Sequence, residues 1–166
     1  MVVSTRPFRD DDAAATAQIF FDSVRLGTQN YYDEAQRLAW APRVPETATW
    51  LKRLKSQTVF VAERQGRVVG IMTLTAEGCI GLAYVAPDAI GQGIGKALYD
   101  AILSEAENIG VPKLTAQASH LARPFFERRG WSLIKSQTVT RGDDVAIPIF
   151  AMEKILSPTV IPSKDS

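Results

Sequence analysis

The part of the chain best suited to bind a ligand is residues 81–108. Three glycines occupy alternate positions there, Gly91, Gly93 and Gly95, and glycine allows a backbone to approach a ligand closely. An apolar run before them predicts a strand, and apolar residues at helical spacing after them predict a helix. The unpaired amides and the positive dipole end of that helix face the turn. This arrangement predicts a site for a phosphate-bearing ligand.

The spacing of the glycines excludes two common phosphate-binding motifs. A P-loop requires glycine at position 90 and serine or threonine at position 97, where this chain has Ile90 and Ala97. The dinucleotide fingerprint requires glycine at position 96, which is Lys96. A protein that binds ATP or GTP through Lys96 and the glycines is therefore the last of three hypotheses for this chain.

Composition and length narrow the classes of protein further. A chain of 166 residues predicts a single domain, residues 1–156, followed by a flexible polar tail, residues 157–166. The net charge of +1 gives no sign of a nucleic-acid or membrane partner. One cysteine and one histidine make a zinc site implausible, so we expect no metal. Because the first residues lack a signal-peptide core, we expect a cytoplasmic protein.

The rest of the chain predicts the elements that position the glycine turn. Helical or alternating apolar patterns, bounded by glycine, proline and capping residues, mark each of these elements. A strand is predicted at residues 2–8, and helices at 13–26, 33–41 and 46–55. Two strands that form a hairpin are predicted at 58–64 and 67–76, before the strand that leads into the glycine turn. After the helix that follows the turn come a strand at 113–118, a helix at 121–129, and a last hairpin at 131–140 and 145–154.

Two segments resemble signature motifs of the GNAT superfamily of acetyl-CoA-dependent N-acetyltransferases. Gly93 and Gly95 match the two small positions of motif A, Q/R-x-x-G-x-G/A, whereas Ile90 stands where Arg or Gln is usual. The stretch S-H-L-A-R-P-F-F-E-R-R-G-W resembles N-x-x-A-x-x-x-Y-x-x-x-G-F, with Ser119 at the Asn position and Phe126 at the Tyr position. Together with A-W-A-P at residues 39–42, it is similar to a YafP-like bacterial branch of the superfamily.

The resemblance covers residues 2–155 and implies the α+β GNAT fold, a central mixed, mostly antiparallel sheet of about seven strands flanked by helices. It implies an enzyme that takes acetyl-CoA as donor cosubstrate and needs no metal. The acceptor would be the amine of a small molecule, which attacks directly in a ternary complex, and a homodimer is compatible with the family. Because Ile90 and Phe126 depart from the motifs, the alternative is a catalytically silent acyl-CoA-binding module.

The resemblance also implies which residues hold the cofactor. In this fold the strand before motif A bulges, and a backbone N–H near residues 83–85 meets the thioester oxygen. Val85 is our choice for that donor. The cofactor-binding residues predicted in this way are Ala83, Tyr84, Val85, Ile90, Gly91, Gln92, Gly93, Ile94, Gly95, Lys96, Ser119, Phe125 and Phe126.

The proton donor and the general base have no clear marker in the sequence. The departing thiolate needs a proton, and Phe126, at the position of the usual tyrosine, cannot donate one. Tyr84 is the first candidate acid and Ser119 the second, with water as a third. Glu77 is the nearest acidic residue for a base, and Tyr31, Tyr32 or a water are the alternatives.

The segment between the first helix and the hairpin predicts an acceptor pocket. Proline residues interrupt it, and in the GNAT family its counterpart covers the acceptor. The aromatic residues Tyr31, Tyr32 and Trp40 are predicted to line this pocket, while Trp50 suits either the pocket or the core. An aryl amine or hydroxylamine is already neutral at pH 7 and hardly needs a base, so the pattern favours an aromatic acceptor.

The cofactor prediction is tested by thermal unfolding with acetyl-CoA, CoA, ATP or NAD. A ligand present at about a hundredfold excess over its Kd stabilises the folded protein by about 2.7 kcal/mol. For a chain of this size we expect the CoA compounds to raise the Tm by roughly 5 to 10 °C. A shift with ATP alone would favour the nucleotide hypothesis instead, and no shift with any ligand would contradict the binding turn.

Overall fold

The computed structural model describes residues 2–156 of the chain, so the predicted tail at residues 157–166 lies outside the described residues. Seven strands and five α-helices occur in this range, in the order that the sequence predicts. The strands are β1 (Val3–Pro7), β2 (Thr58–Arg64), β3 (Arg67–Leu74), β4 (Cys79–Val85), β5 (Lys113–Ala118), β6 (Ser132–Arg141) and β7 (Val145–Ile155). The helices are α1 (Ala13–Arg25), α2 (Glu34–Trp40), α3 (Thr47–Leu54), α4 (Ile94–Ile109) and α5 (Arg123–Glu127).

The strands form one sheet in the order β1-β2-β3-β4-β5-β7-β6. Each neighbouring pair is antiparallel except β4 and β5, which are parallel. Helix α4 buries Ile94, Leu98 and Ile102 in one core cluster, while α1 and α3 bury Phe20 and Trp50 in another. The mixed, mostly antiparallel sheet flanked by helices confirms the predicted fold class. Within residues 2–156, every helix is too short or too polar to traverse a lipid bilayer.

Strand β4 is bulged where it passes β3. Two of its residues, Gly81 and Leu82, lie opposite the single residue Thr73 of β3. The Leu82 N–H donates to the side-chain oxygen Thr73 Oγ1 at 2.9 Å, instead of to a backbone carbonyl. A bulge of this kind bends its strand and increases the local twist.

The bulge lies just beyond the parallel contact between β4 and β5. Cys79 pairs with Thr115 and Ile80 pairs with Ala116, and past these pairs the two strands diverge. A gap therefore opens between the carboxyl ends of two neighbouring strands. In open sheets with helices on their faces, such gaps are common ligand sites.

Helix α2 closes one end of this gap. A capping box begins the helix, in which the Gln36 N–H donates to Asp33 Oδ1 at 2.8 Å and the Asp33 N–H donates to Gln36 Oε1 at 2.9 Å. The Gln36 side chain also donates to the carbonyl of Ala146 on β7 at 3.0 Å. These bonds attach the helix to the last hairpin and place Trp40, its last residue, toward the gap.

An ion-pair network attaches the amino-terminal strand to the first helix. Arg6 donates to Asp12 Oδ2 at 2.8 Å and Oδ1 at 2.9 Å, and to Glu63 Oε2 at 2.8 Å. The Asp12 side chain is 7% exposed, and the Arg6 guanidinium lowers the pKa of its carboxyl group below the ordinary value. Bidentate pairs that are partly buried contribute more than exposed ones, because solvent screens them less.

We expect Asp12→Asn to lower the free energy of unfolding by about 2 kcal/mol at pH 7, the scale of a hydrogen bond to a charged group. Because the folded pKa of Asp12 is depressed, the stabilisation is complete above the unfolded pKa of about 4 and is lost as the pH falls further. Urea unfolding of the wild type and of Asp12→Asn between about pH 7 and 2.5 measures their free energies of unfolding, and we expect the difference between the two to shrink as the pH falls. The control is Asp10→Asn, which breaks an exposed pair with Lys55. If the two free energies of unfolding differ by the same amount at about pH 7 and at about pH 2.5, the prediction is contradicted.

Candidate active site

A cavity of about 520 Å³ occupies the gap at the carboxyl end of β4, a volume typical of small-molecule sites. The glycine turn, the first turn of α4, and the turn and helix after β5 form one part of its wall. The end of α1 and Trp40 form another part. Twelve of the predicted cofactor-binding residues line it: Ala83, Tyr84, Val85, Ile90, Gly91, Gly93, Ile94, Gly95, Lys96, Ser119, Phe125 and Phe126.

The glycine turn has a conformation that other residues rarely adopt. The φ angles of Gly91 and Gly93 are +84° and +83°, and a Cβ at either position would have no neighbour within 4 Å. Glycine is therefore required by the backbone conformation and not by close packing. The first helical bond of α4 runs from the Ala97 N–H to the Gly93 carbonyl at 3.1 Å. The amides of residues 94–96 come before it and face the cavity entrance, where they can bind an anion.

The third glycine has a different role. A Cβ on Gly95 would lie 3.1 Å from Cε1 of Phe125, so glycine lets the Phe125 ring pack against the first turn of α4. The Arg129 guanidinium covers the Phe125 ring, 3.7 Å from its centroid, and donates to the Phe125 carbonyl at 3.0 Å. Arg129, two residues after α5, therefore places a cation over the ring that packs against the first turn of α4.

The charged side chains among the described residues lining the cavity are all cationic: Lys96, Arg128 and Arg129. Lys96 also pairs with Asp100, 2.8 Å away on the next turn of α4. The position of α5 against α4, which brings the two arginines to the cavity, cannot be inferred from the spacing of residues in the sequence. Together with the helix amides, these cations make this end of the cavity suitable for a polyphosphate.

Gln92 does not line the cavity, in contrast to the prediction. Its side-chain oxygen accepts a hydrogen bond from Arg64 of β2, and its side-chain nitrogen donates to the Asp88 carbonyl at 3.4 Å. These contacts turn the side chain toward the β2–β3 hairpin. Ile90, 48% exposed, contributes an apolar group to the cavity wall.

The free edge of β4 points backbone amides into the gap. The Ala86 N–H donates to the carbonyl of Val69 on β3 at 2.8 Å. Because successive amides of a strand alternate in direction, the amides of Ala83 and Val85 point away from β3, toward the space that β5 has left. The carbonyl of Val85 points the same way and accepts a hydrogen bond from Ser23 Oγ of α1 at 2.8 Å.

The two candidate acids, Tyr84 and Ser119, both line the cavity. The Tyr84 ring packs edge-on against Phe20, with centroids 5.2 Å apart, and burial raises the pKa of its hydroxyl to about 12. The hydroxyl is therefore protonated at neutral pH. Ser119 Oγ accepts the Ala122 N–H at 3.1 Å, which caps the turn before α5. A hydroxyl that accepts one hydrogen bond can still donate its own proton.

The predicted base does not lie in the site. Glu77 is exposed in the turn before β4, whereas the cavity begins near Ala83 at the other end of the strand. At the rise of a β-strand, the seven residues from Glu77 to Tyr84 span roughly 20 Å. Glu77 is therefore too far away to accept a proton from a ligand in the cavity.

The aromatic residues of the segment between α1 and β2, which we call the flap, lie in different environments. Trp40 lines the cavity, as predicted, with its ring edge-on to Tyr32 at 5.3 Å. Tyr32 is 2% exposed and its hydroxyl bonds to backbone groups, so the prediction that it lines the pocket is corrected. Tyr31 lies outside the cavity, parallel to the ring of His120 with centroids 6.1 Å apart. Trp50 is a core residue whose indole N–H donates to Thr16 Oγ1 at 3.0 Å.

Sequence reasoning missed the contribution of α1 to the site. Ser23, Gly27 and Thr28 line the cavity, although the first helix was assigned no functional role. Ser23 is 4% exposed and lies between apolar residues of the buried helix face. A serine at a core position needs a hydrogen-bond partner. The serine within the apolar helix face was therefore the signal available in the sequence. That signal does not identify the Val85 carbonyl as the acceptor of its hydrogen bond.

Comparison with known proteins identifies the family. Residues 28–156 match the model of the acetyltransferase (GNAT) domain. The chain belongs to the GNAT acetyltransferase family. It is 30% identical over 138 residues to the N-acetyltransferase YafP of Escherichia coli (strain K12), covering 82% of this chain and 86% of YafP. This agreement confirms the resemblance predicted from the two motifs.

Solved structures show the same fold. A GCN5-related N-acetyltransferase from Rhodopseudomonas palustris is 35% identical, with a TM-score of 0.86 over 94% of this chain and 99% of that one. The acetyltransferase yncA from Salmonella typhimurium, solved with acetyl-CoA, is 19% identical, with a TM-score of 0.74 over 98% and 99% of the two chains. At 19% identity, the likeness to yncA shows only that the two proteins share a fold. This GNAT protein is an acetyltransferase, and its family uses acetyl-CoA.

We expect Gly93→Asp to weaken CoA binding at least about tenfold, because a carboxylate there would repel phosphate at the mouth of α4. Gly66→Asp is a matched control, since Gly66 has φ +77° and open space around it but lies in the β2–β3 turn. Both variants place an aspartate at a similar positive φ, +77° and +83°, and add the same charge. Calorimetric titration with CoA measures Kd, and thermal unfolding confirms that each variant is folded. Equal Kd values for the two variants would contradict the assigned binding turn.

Proposed function

We propose that this GNAT protein transfers the acetyl group of acetyl-CoA to the amine of a small molecule, by direct attack in a ternary complex. One observation carries the proposal. A single cavity is lined by the glycine turn with its cations and also by Ser23, Thr28 and Trp40 on the side of α1 and α2. It has room for donor and acceptor groups to meet beside the free amides of β4.

The glycine turn and α5 suit the phosphates of acetyl-CoA. The residues that would hold them are the backbone amides at 94–96, with Lys96, Arg128 and Arg129 around them. The presence of acetyl-CoA in the Salmonella yncA structure, which has the same fold, supports this assignment. When bound, acetyl-CoA supplies a thioester whose carbonyl carbon an amine can attack.

The Val85 amide is suited to stabilise the charge that develops on the thioester oxygen. It points into the gap, and the Ser23 hydroxyl holds the carbonyl of the same residue. A fixed donor at such a position costs no reorganisation during the reaction and typically contributes about 3 kcal/mol to transition-state stabilisation. Because the donor is a backbone group, its function does not depend on the side chain at position 85.

Tyr84 is the group best placed to donate a hydrogen bond to the departing thiolate. Tyr84 lines the cavity one residue before Val85, and its hydroxyl is protonated at neutral pH because its pKa is raised to about 12. Since a thiol has a pKa of about 8.5, the hydroxyl would act as a hydrogen-bond donor to the departing thiolate, with the proton finally supplied from solvent. Ser119 lines the same cavity and is the second candidate.

The walls of the cavity favour an aromatic acceptor whose amine is neutral at pH 7. Trp40 and Tyr84 supply aromatic surface on the side of α2. The described residues that line the cavity include no carboxylate, so a protonated amine would find no such group there to deprotonate it. Aryl amines and hydroxylamines do not need that step.

A matched pair of acceptors tests the proposal. Aniline and benzylamine have the same ring, but aniline is neutral at pH 7 whereas benzylamine is protonated. We expect kcat/KM with aniline to be flat from about pH 6 to 9, and with benzylamine to be lower and to rise about tenfold per pH unit. Thiol release from acetyl-CoA measures both rates. Efficient, pH-independent turnover of benzylamine would contradict the acceptor class. If CoA binds but no amine in a broad panel releases thiol, acetyl transfer itself is contradicted.

The role of Tyr84 is tested by Tyr84→Phe, which removes the hydroxyl and keeps the ring. We expect kcat to fall about 10²-fold, the low end for general acid catalysis, with KM for acetyl-CoA nearly unchanged. Tyr99→Phe is the control, because the Tyr99 hydroxyl is buried against the Trp131 indole at 3.0 Å, outside the cavity. A wild-type kcat in Tyr84→Phe would assign that hydrogen bond to Ser119 or to water.

A further inference from the structure

The ends of β4 and β5 border the gap and do not hydrogen-bond to each other. Beyond Ile80 and Ala116 no sheet pairing joins the described β4 and β5 strands. Each strand end stays paired on its outer side, β4 with β3 and β5 with β7. Across the gap, however, no sheet hydrogen bond fixes the distance between the two ends, so other contacts must set its width. Side chains from one segment contact both ends.

The first contact is on β4. Ser23 Oγ donates to the Val85 carbonyl at 2.8 Å, and Ser23 is 4% exposed. In a continuous sheet, an amide of β5 would donate to this carbonyl. The hydroxyl of α1 takes the place of that amide and fixes the direction of the last peptide of β4.

The second contact is on the turn that follows β5. The Tyr32 hydroxyl accepts the His120 N–H at 2.9 Å and donates to the Pro148 carbonyl at 2.8 Å. Tyr32 is 2% exposed. The contact joins the turn to β7 and holds Ser119, the residue before His120, at the cavity wall.

The segment that carries both side chains is itself held by hydrogen bonds. Thr28 Oγ1 donates to the Val24 carbonyl at 2.6 Å, and the Tyr32 N–H donates to the Thr28 carbonyl at 3.0 Å. The Arg37 guanidinium donates to the Arg25 carbonyl at 2.8 Å, which caps the end of α1. Residues 23–32, which we call the bridge segment, therefore connect the two sides of the gap through short, buried contacts.

We infer that the bridge segment sets the separation of the β4 and β5 ends, and that Ser23 and Tyr32 are positioning residues for acetyl transfer. The inference rests on the proposed function, because it takes the Val85 amide and the cavity wall at Ser119 as the groups being positioned. A small displacement of a catalytic group lowers kcat strongly, whereas the phosphates of the cofactor are held by the glycine turn, which neither contact touches. Loss of either contact therefore acts on kcat and spares cofactor binding.

The test uses the variants Ser23→Ala and Tyr32→Phe and their double variant in the full chain. We expect each single change to lower kcat at least about tenfold, while the Kd for CoA stays within about twofold. Because both contacts set one separation, we expect the double variant to lose much less than the product of the two single effects. If the fall in kcat of the double variant equals the product of the two single effects, the inference that one segment sets the separation is overturned.

The control for a purely structural effect is Thr16→Val. It removes a buried hydrogen bond between α1 and Trp50, but Thr16 does not line the cavity. We expect it to lower the Tm about as much as Ser23→Ala and to leave kcat unchanged. If kcat falls in all three variants in proportion to their loss of Tm, the positioning role is overturned.

Hydrogen exchange provides a readout that does not need turnover. In Ser23→Ala we expect faster exchange at residues 84 and 86, whose amides face β3, and also at residues 119–121, on the other side of the gap. Faster exchange at 84 and 86 alone would overturn the inference. A wild-type protein that releases no thiol would contradict the proposed function, whereas normal rates in both variants would contradict only the bridge.

Discussion

The parallel contact between β4 and β5 ends after two residue pairs, and most of the functional geometry depends on this early end. The bulge at Gly81 and Leu82 turns β4 just past the contact. The divergence frees the Val85 amide and makes room for a cavity between two core clusters. If the pairing continued to Val85, the amides of β4 would be used by the sheet and no donor would be left for a ligand. The sheet therefore lacks hydrogen bonds between β4 and β5 beyond these two pairs. Side chains from α1 and the flap supply others to the residues at the gap.

The order of elements could be predicted from the sequence because each boundary has a local cause. Gly93 and Gly110 begin and end α4 with positive φ angles, and Asp33 with Gln36 caps α2. The pairing of β4 with β5, by contrast, joins segments more than thirty residues apart. Nothing in the alternation of apolar residues specifies where such a pairing stops. The resemblance to the GNAT family supplied that information in the form of a fold.

The same division between local and long-range causes applies to the site. The glycine turn could be predicted, since its conformation follows from residues that are adjacent in the chain. Tyr32 and Trp50 could not be distinguished from Trp40 by their type, because all three are aromatic residues of one segment. Their environments are decided by contacts with β7 and α1, which are distant in sequence. Ser23 was missed for the same reason, because its partner lies 62 residues away.

Thr73 shows how the shape of the cavity and the choice of ligand are separated in this chain. It is fully buried, it accepts the Leu82 N–H at the bulge, and it does not line the cavity. A substitution at Thr73 would therefore change the cavity through the course of β4, without touching a bound ligand. A substitution at Trp40 would change the surface that a ligand contacts and leave the bulge of β4 intact.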